Sequence, residues 1–212
     1  MGYAAHLMAT ARKRTGSRKA SYHHGDLRQA LLDSALAIVS EEGVRDVSLR
    51  EVARRAGVTY AAPYHHFVDK SALLAAVGAQ GFEFLIEELE RASKRRADPE
   101  GQFLAMCEGY LTFALEHPSH YRVMFLPELR EASDAEAFHV VGERAFDVLL
   151  NRVKMARPRE PEGAQRTLAA TIWAALHGLS LLAMDGSLAK FCFKSTEKVL
   201  RDACKPIVGM AM

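Results

Sequence analysis

Between Ser48 and Lys70 the run SLREVARRAGVTYAAPYHHFVDK gathers the side chains that a polyanion demands. Cations stand at Arg50, Arg54, Arg55 and Lys70, hydroxyls at Ser48 and Thr59, and amphipathic rings at Tyr60, Tyr64 and His65. Cations and hydroxyls suit phosphate oxygens, and side chains at the start of a helix can reach base edges in a major groove. The chemistry on offer is nucleic-acid recognition. A rival chemistry would use His24 with Asp26, the pair His65 and His66, or His117 with His120 as acid–base groups or metal ligands. None of these stands in an HExxH, a phosphate-cradling glycine loop, a dinucleotide fingerprint or a nucleophile elbow. Adjacent His65 and His66 would point about 100° apart on a helix, a poor geometry for one shared metal. The expectation is a protein that is not an enzyme and carries no cofactor or metal.

The elements that must position these groups follow from the same residues. Ser48 is placed to cap a helix with Glu51 three residues on, a capping box, and Leu49, Val52, Ala53 and Ala56 then share an apolar face. Gly57 supplies the turn, Val58 a plug between helices, and Thr59 a cap for a second helix running roughly from Tyr60 to Phe67. This is a helix-turn-helix pattern, although a surface helical hairpin without a DNA role shares it. Pro63 removes a backbone donor and disfavours the α conformation at Ala62, so the second helix is expected to start tightly or a residue or two late. A preceding helix is predicted over residues 25–42, with Leu27, Leu31, Ala35, Ile38 and Val39 as its stripe and Gly43 as its stop. Another should begin near Asp69, capped by Asp69 or Ser71, and carry Leu73, Leu74 and Val77.

The run from about Leu27 to Val77, with EVARRAGV, Thr59, Tyr64, His66, Phe67 and then Asp69 to Leu73, resembles the N-terminal domain of the tetracycline-repressor (TetR) family of bacterial transcription regulators. About a quarter of the chain takes part. The resemblance implies that Ser48 and Thr59 are capping hydroxyls that also touch phosphate, that Tyr64 and Lys70 meet the DNA backbone, and that Tyr60 and Ala61 face bases, with His65 a further candidate. Pro63 departs from the branched aliphatic residue commonest there and resembles a subgroup with AAPY. Further on, Trp173, His177 and Gly178 in WAALHGL resemble the C-terminal domain named for Trp, His and Gly in one branch of the family, and EHPSHYRVMF has a similar look. The implied protein is a repressor that binds a palindromic double-stranded DNA operator as a homodimer, joined through its last two long helices, and is released by a small-molecule ligand.

Bulk properties accord with that picture. Net charge is only +2, but residues 1–77 hold 11 Lys and Arg against 7 Asp and Glu, while residues 78–212 hold 17 against 19. The basic half carries the motif. No apolar run approaches the roughly 18 residues of a membrane span, and no signal peptide is evident, so a cytoplasmic bacterial protein with no membrane partner is expected. Cys107, Cys192 and Cys204 are odd in number and far apart, which suits buried small hydrophobes more than a disulfide framework, a zinc site or a redox sensor. Residues 1–21, with Arg12, Lys13, Arg14, Arg18 and Lys19, read as a flexible basic arm, residues 22–77 as the helix-turn-helix domain, and residues 78–212 as a ligand-binding and dimerisation domain.

The expected fold is all-α: a three-helix N-terminal domain, then a helical bundle with segments at about 80–97, 100–116, 118–126, 134–156, 161–185 and 194–209. Two segments could line a pocket for a small apolar or aromatic ligand. One holds Phe103, Met106, Tyr110, Phe113, His117, Tyr121, Met124 and Phe125, the other Trp173 and His177. The same residues at helical spacing would also serve as plain core.

Overall fold

The computed structural model describes residues 24–132, 135–192 and 196–212, and every regular element among them is helical. The basic arm, residues 1–21, lies outside them, as do the side chains of His24, Asp26 and Cys192.

Helix α1, His24–Glu41, buries Leu31, Leu32, Ala35, Ile38 and Val39. Gly43 stops it at φ 99° and ψ 168°, a backbone region essentially reserved for glycine. After a 3-10 turn at Val44–Asp46, α2 spans Leu49–Arg55 and packs Leu49, Val52 and Ala53 inward. Ser48 accepts the Glu51 backbone N–H at 3.2 Å, which is half of the expected capping box. The Glu51 carboxylate turns the other way, to arginines. Gly57 then takes φ +68° and reverses the chain.

Asp69 accepts from the Ala72 N–H at 2.8 Å and caps α3, Lys70–Ser93. The separate segment expected at about 80–97 does not exist, because this one helix runs 24 residues without a break. Its apolar stripe continues in register through Val77, Phe82, Leu85, Ile86 and Leu89, and no proline interrupts it. Two glycines on it have a packing role. A Cβ added at Gly78 would lie 2.7 Å from the Phe138 ring, and one at Gly81 would lie 2.7 Å from Met124 Sδ. Their bare backbone lets the following helices come close.

The remaining helices are α4 Pro99–Glu116, α5 Pro118–Met124, α6 Glu136–Ala156, α7 Glu162–Met184, α8 Ser187–Cys192 and α9 Thr196–Gly209. Pro99 and Pro118 sit in first turns, where a missing N–H costs nothing. Short α8 has no counterpart among the expected segments; Gly186 at φ 78° ends α7, and Asp185 accepts the Ser187 N–H at 2.8 Å to start it. A single apolar core runs from Leu31 and Val52 through Leu73 and Val77 to Phe103, Tyr121, Leu150 and Ala211.

Candidate nucleic-acid interface and buried cavity

Beyond Gly57 the second helix of the motif is shorter than its sequence suggests. In place of an α-helix over Tyr60–Phe67 there is a 3-10 turn at Ala62–His65. Pro63 stands in its first turn and donates nothing, so the chain closes on i−3 carbonyls: Ala62 N–H to Thr59 at 3.0 Å, Tyr64 N–H to Ala61 at 3.2 Å and His66 N–H to Pro63 at 2.9 Å. Ala61, with no side-chain bond, holds the cap position expected for Thr59. Buried Pro63 and Phe67 anchor the segment, and the Arg28 guanidinium lies 5.5 Å from the Phe67 ring centre.

The residues expected to meet DNA lie at or near the surface. Ser48, Arg50, Thr59, Tyr60, Ala61, Tyr64 and His65 are exposed, and Lys70 is half-buried. Tyr60 and Tyr64 keep 53% and 61% of their surface in solvent, unusual for rings that could have been buried. The Arg50 guanidinium stands over the Tyr60 ring at 4.9 Å and limits its orientations.

Arg54 and Arg55 behave differently from the expected phosphate cations. Arg55 pairs with Glu41 at 2.6 Å, with Glu42, and with Glu51 at 3.1 Å, and Arg54 pairs with Glu51 at 2.6 Å. Hydrogen bonds from Arg54 and then Arg55 hold the Glu51 carboxyl down to about 2. These pairs stitch α2 to the end of α1. Lys70 Nζ donates to the Arg45 carbonyl at 3.0 Å, which fixes its head beside the same surface.

Among α3, α4, α5, α6 and α7 lies a cavity of about 540 Å³ that opens to solvent on one side. Of the residues expected to line a pocket, Met106, Tyr110, Met124, Phe125 and Trp173 do so. Phe103 and Phe113 do not: both are fully buried core. His117 packs against Phe113 and Phe84, and Tyr121 and His177 stand behind the wall. The walls missed by sequence reasoning are Phe82, Leu85 and Leu89 of α3 and Phe138, Phe146 and Leu149 of α6. Their spacing marks an apolar face and no more. Arg130, His139, Glu143, Asp147 and Arg166 ring the solvent side, all exposed.

From Trp173 and Tyr110 of the wall to Tyr121 and His177 behind it, the polar groups form a chain. Trp173 Nε1 donates to Tyr110 Oη at 3.2 Å, Tyr110 Oη meets Tyr121 Oη at 3.1 Å, and Tyr121 Oη meets His177 Nδ1 at 2.7 Å. Burial raises the pKa of both phenols and lowers that of His177, so all are neutral at pH 7.

A second chain joins α5 to α3 and α1. His120 Nε2 meets Gln80 Oε1 at 3.2 Å, Gln80 Nε2 donates to Gln29 Oε1 at 3.1 Å, and Gln29 Nε2 donates to Asp33 Oδ1 at 2.8 Å. Burial, with the charge of His117 second, brings His120 down from 6.5 to about 4. An unfolded chain therefore takes up a proton below pH 6.5 that the folded one refuses until about pH 4. Stability is expected to be full above pH 6.5 and to fall by up to about 3 kcal/mol as pH drops to 4. Urea titrations of the native protein and His120→Gln across that range check this; the variant should lose most of the slope.

Cys107 and Cys204 are buried, and burial pushes both thiols up, Cys204 to about 12. Among the described residues no three His, Cys, Asp or Glu side chains gather as a metal site. Helix α7 corrects the expectation about apolar stretches: it contains an 18-residue window of mean hydropathy 1.5, long and apolar enough to cross a membrane, with 28% of that window buried. Trp173, Leu181 and Leu182 stand exposed on it at 39%, 45% and 43%.

Comparison with known proteins supplies the family. Residues 31–77 match the model of bacterial regulatory proteins of the tetR family, and residues 103–204 match the tetracyclin repressor-like C-terminal domain. The chain belongs to the TetR family. The second TetR match runs through Trp173, His177 and Gly178. Among relatives, the HTH-type transcriptional regulator AcrR of Shigella flexneri is 40% identical over 84 residues, 39% of each chain. The HTH-type transcriptional regulator BetI of Serratia proteamaculans is 42% identical over 69 residues, 32% of this chain and 33% of that one. The match thus spans well under half the length of these TetR relatives. A Rhodococcus sp. RHA1 protein of unknown function superposes with a TM-score of 0.76 at 32% identity, covering 91% of this chain and 99% of that one. The fatty acid degradation regulator FadR of Bacillus halodurans, at 14% identity and a TM-score of 0.68 over 89% and 97%, shares the TetR fold.

Proposed function

We propose that this TetR-family protein is a DNA-binding transcriptional repressor that reads a palindromic operator as a homodimer and is released by a small ligand in its C-terminal cavity. The observation that carries the reading is the solvated face formed by Ser48, Arg50, Thr59, Tyr60, Ala61, Tyr64, His65 and Lys70. Tyr60 and Tyr64 present two large rings to solvent there, and the Arg50 guanidinium stands over the first. In this reading Tyr60, Ala61 and His65 face bases, while the hydroxyls, Arg50, Tyr64 and Lys70 meet phosphate.

One four-residue turn spans only a few base pairs, so useful specificity needs two copies on a two-fold axis. Helix α7 supports such a dimer: Ala174, Trp173, Leu181 and Leu182 are exposed along it, and a second α7 and α9 pair would cover them. Residues 22–77 then serve as the reading domain and 78–212 as the ligand and dimer domain, sharing α3. A regulator of this kind works in the cytoplasm, where its DNA is. Repression requires only that the bound dimer block a promoter.

Release follows from linkage. A ligand that prefers a bundle with altered α5 shifts the dimer toward that state and weakens operator binding by the same free energy. Met124 on Gly81, and the His120–Gln80–Gln29 chain, carry a shift of α5 to α3 and α1.

Selection of bound duplexes from a random-sequence pool, followed by fluorescence anisotropy at two salt concentrations and light scattering, tests this. The expected result is one enriched palindrome, bound by a dimer with an affinity that falls steeply with salt. Equal weak binding to every duplex, or none, would overturn the reading.

A further inference from the structure

Five rings of the cavity wall touch one another in succession. Phe138 meets Phe82 with ring centres 5.5 Å apart, Phe82 meets Phe125 at 5.8 Å, Phe125 meets Trp173 at 6.2 Å, and Trp173 meets Phe146 at 6.2 Å. The path leaves α6 at Phe138, crosses α3, the residue after α5 and then α7, and returns to α6 at Phe146. Phe138 and Phe146 stand two turns apart, about 12 Å along the helix axis. Gly142, midway between them, also borders the cavity, and a Cβ there would come to 3.4 Å from the Phe82 ring. Bare backbone of α6 thus closes the circuit, and the wall carries an aromatic belt.

The belt encloses no charge. Arg130, Arg166, Glu143 and Asp147 border the cavity from its solvent side, all exposed, two of each sign. Trp173 Nε1 and Tyr110 Oη, the polar side-chain atoms of the inner wall, bond to each other at 3.2 Å. Leu85, Leu89, Met106 and Leu176 make up much of the rest. An ion drawn among the rings would lose its water and meet no counterion. That weighs against a quaternary ammonium, which ring faces alone would suit. An uncharged arene brings a positive edge and negative faces to rings of the same kind, a gain beyond the apolar contact it shares with a saturated ring. Phe82 and Phe138 are already buried, whereas Phe125 and Phe146 are only half-buried and have ring surface left to offer.

We infer, resting on the reading of the cavity as a ligand site, that its guest is an uncharged molecule built on an aromatic ring system held against this belt, and that Phe125 and Phe146 select it over a saturated ring of the same frame.

The test uses the full chain with 2-naphthol and decahydro-2-naphthol, which share a two-ring frame and a hydroxyl and differ in aromaticity, and with trimethyl(2-naphthyl)ammonium, which adds a fixed positive charge. Calorimetry measures affinities in the native protein, in Phe125→Leu and Phe146→Leu, in Leu149→Met as a volume-conserving swap elsewhere on the wall, and in Gly142→Leu, which places a side chain beside Phe82 on a helix that tolerates it. The preference for naphthol over its saturated analogue is expected to fall about twofold to tenfold in each phenylalanine variant and to stay unchanged in Leu149→Met. The ammonium should bind at least about tenfold more weakly than naphthol, and Gly142→Leu should weaken both alcohols at least about tenfold. A preference unmoved by the phenylalanine variants, one lowered as far by Leu149→Met, or an ammonium bound as tightly as naphthol would overturn the inference and leave the cavity reading standing. Failure of both alcohols to bind, or binding indifferent to Gly142→Leu, would overturn the two together. Phe125 and Phe146 lie on different elements, so if one variant fails to fold the other decides.

Discussion

Tyr60→Ala is expected to weaken operator binding about 10-fold to 100-fold while leaving thermal stability unchanged. The side chain is 53% exposed, so its removal opens no cavity, and the loss falls on the DNA complex. Arg50→Ala should cost about tenfold and lower the steepness of the salt dependence by about one phosphate contact. The two substitutions should not add. Because the Arg50 guanidinium rests over the Tyr60 ring, the double variant should be less impaired than the sum by about 0.5–1 kcal/mol. Anisotropy on the selected palindrome, with Arg54→Ala as a comparison, decides the matter. Arg54 is already paired with Glu51, so its loss should matter much less than that of Arg50. Equal losses for Arg50 and Arg54 would show that α2 meets DNA through its whole exposed face and that the ion pairs open on binding.

Tyr121→Ala should be the most destabilising single change of the bundle, at about 3–5 kcal/mol and on the order of 10 °C in melting temperature. The ring is wholly buried, edge-on to Tyr110 at 6.1 Å and to Phe125 at 5.0 Å, and stacked on His177 at 5.5 Å. Tyr121→Phe keeps those contacts and removes only the hydroxyl, which leaves Tyr110 Oη and His177 Nδ1 without their partner. It should cost about 1–3 kcal/mol. Urea denaturation of both variants separates packing from hydrogen bonding. A Phe variant as unstable as the Ala variant would place the whole cost in the hydroxyl chain, and one as stable as the native protein would show that water replaces it.

Much of the molecule was legible from neighbours in the chain. Gly43 and Gly57 marked the two reversals, Ser48 and Asp69 the helix starts, and Pro99 and Pro118 the first turns of α4 and α5. All of these are decided within about one helical turn, by a backbone conformation or a cap, and so they survive the removal of tertiary context. The TetR pattern from Leu27 to Val77 could be read for the same reason.

Where a signal depended on partners from elsewhere, only the tertiary structure decided. Pro63 announced a disturbed helix, yet the shortening to a 3-10 turn needed buried Pro63 and Phe67 as anchors. Arg54 and Arg55 looked as free as Arg50 until Glu51 bound both, with Glu41 and Glu42, 14 and 13 residues before Arg55, completing the set. The helical spacing of Phe103 and Phe113 suited a pocket wall and plain core alike, and did not say which side chains meet another and which border a cavity. That depends on how closely helices approach, which Gly78 and Gly81 permit on α3. A cavity is a property of several helices at once, and no single stretch of sequence contains it.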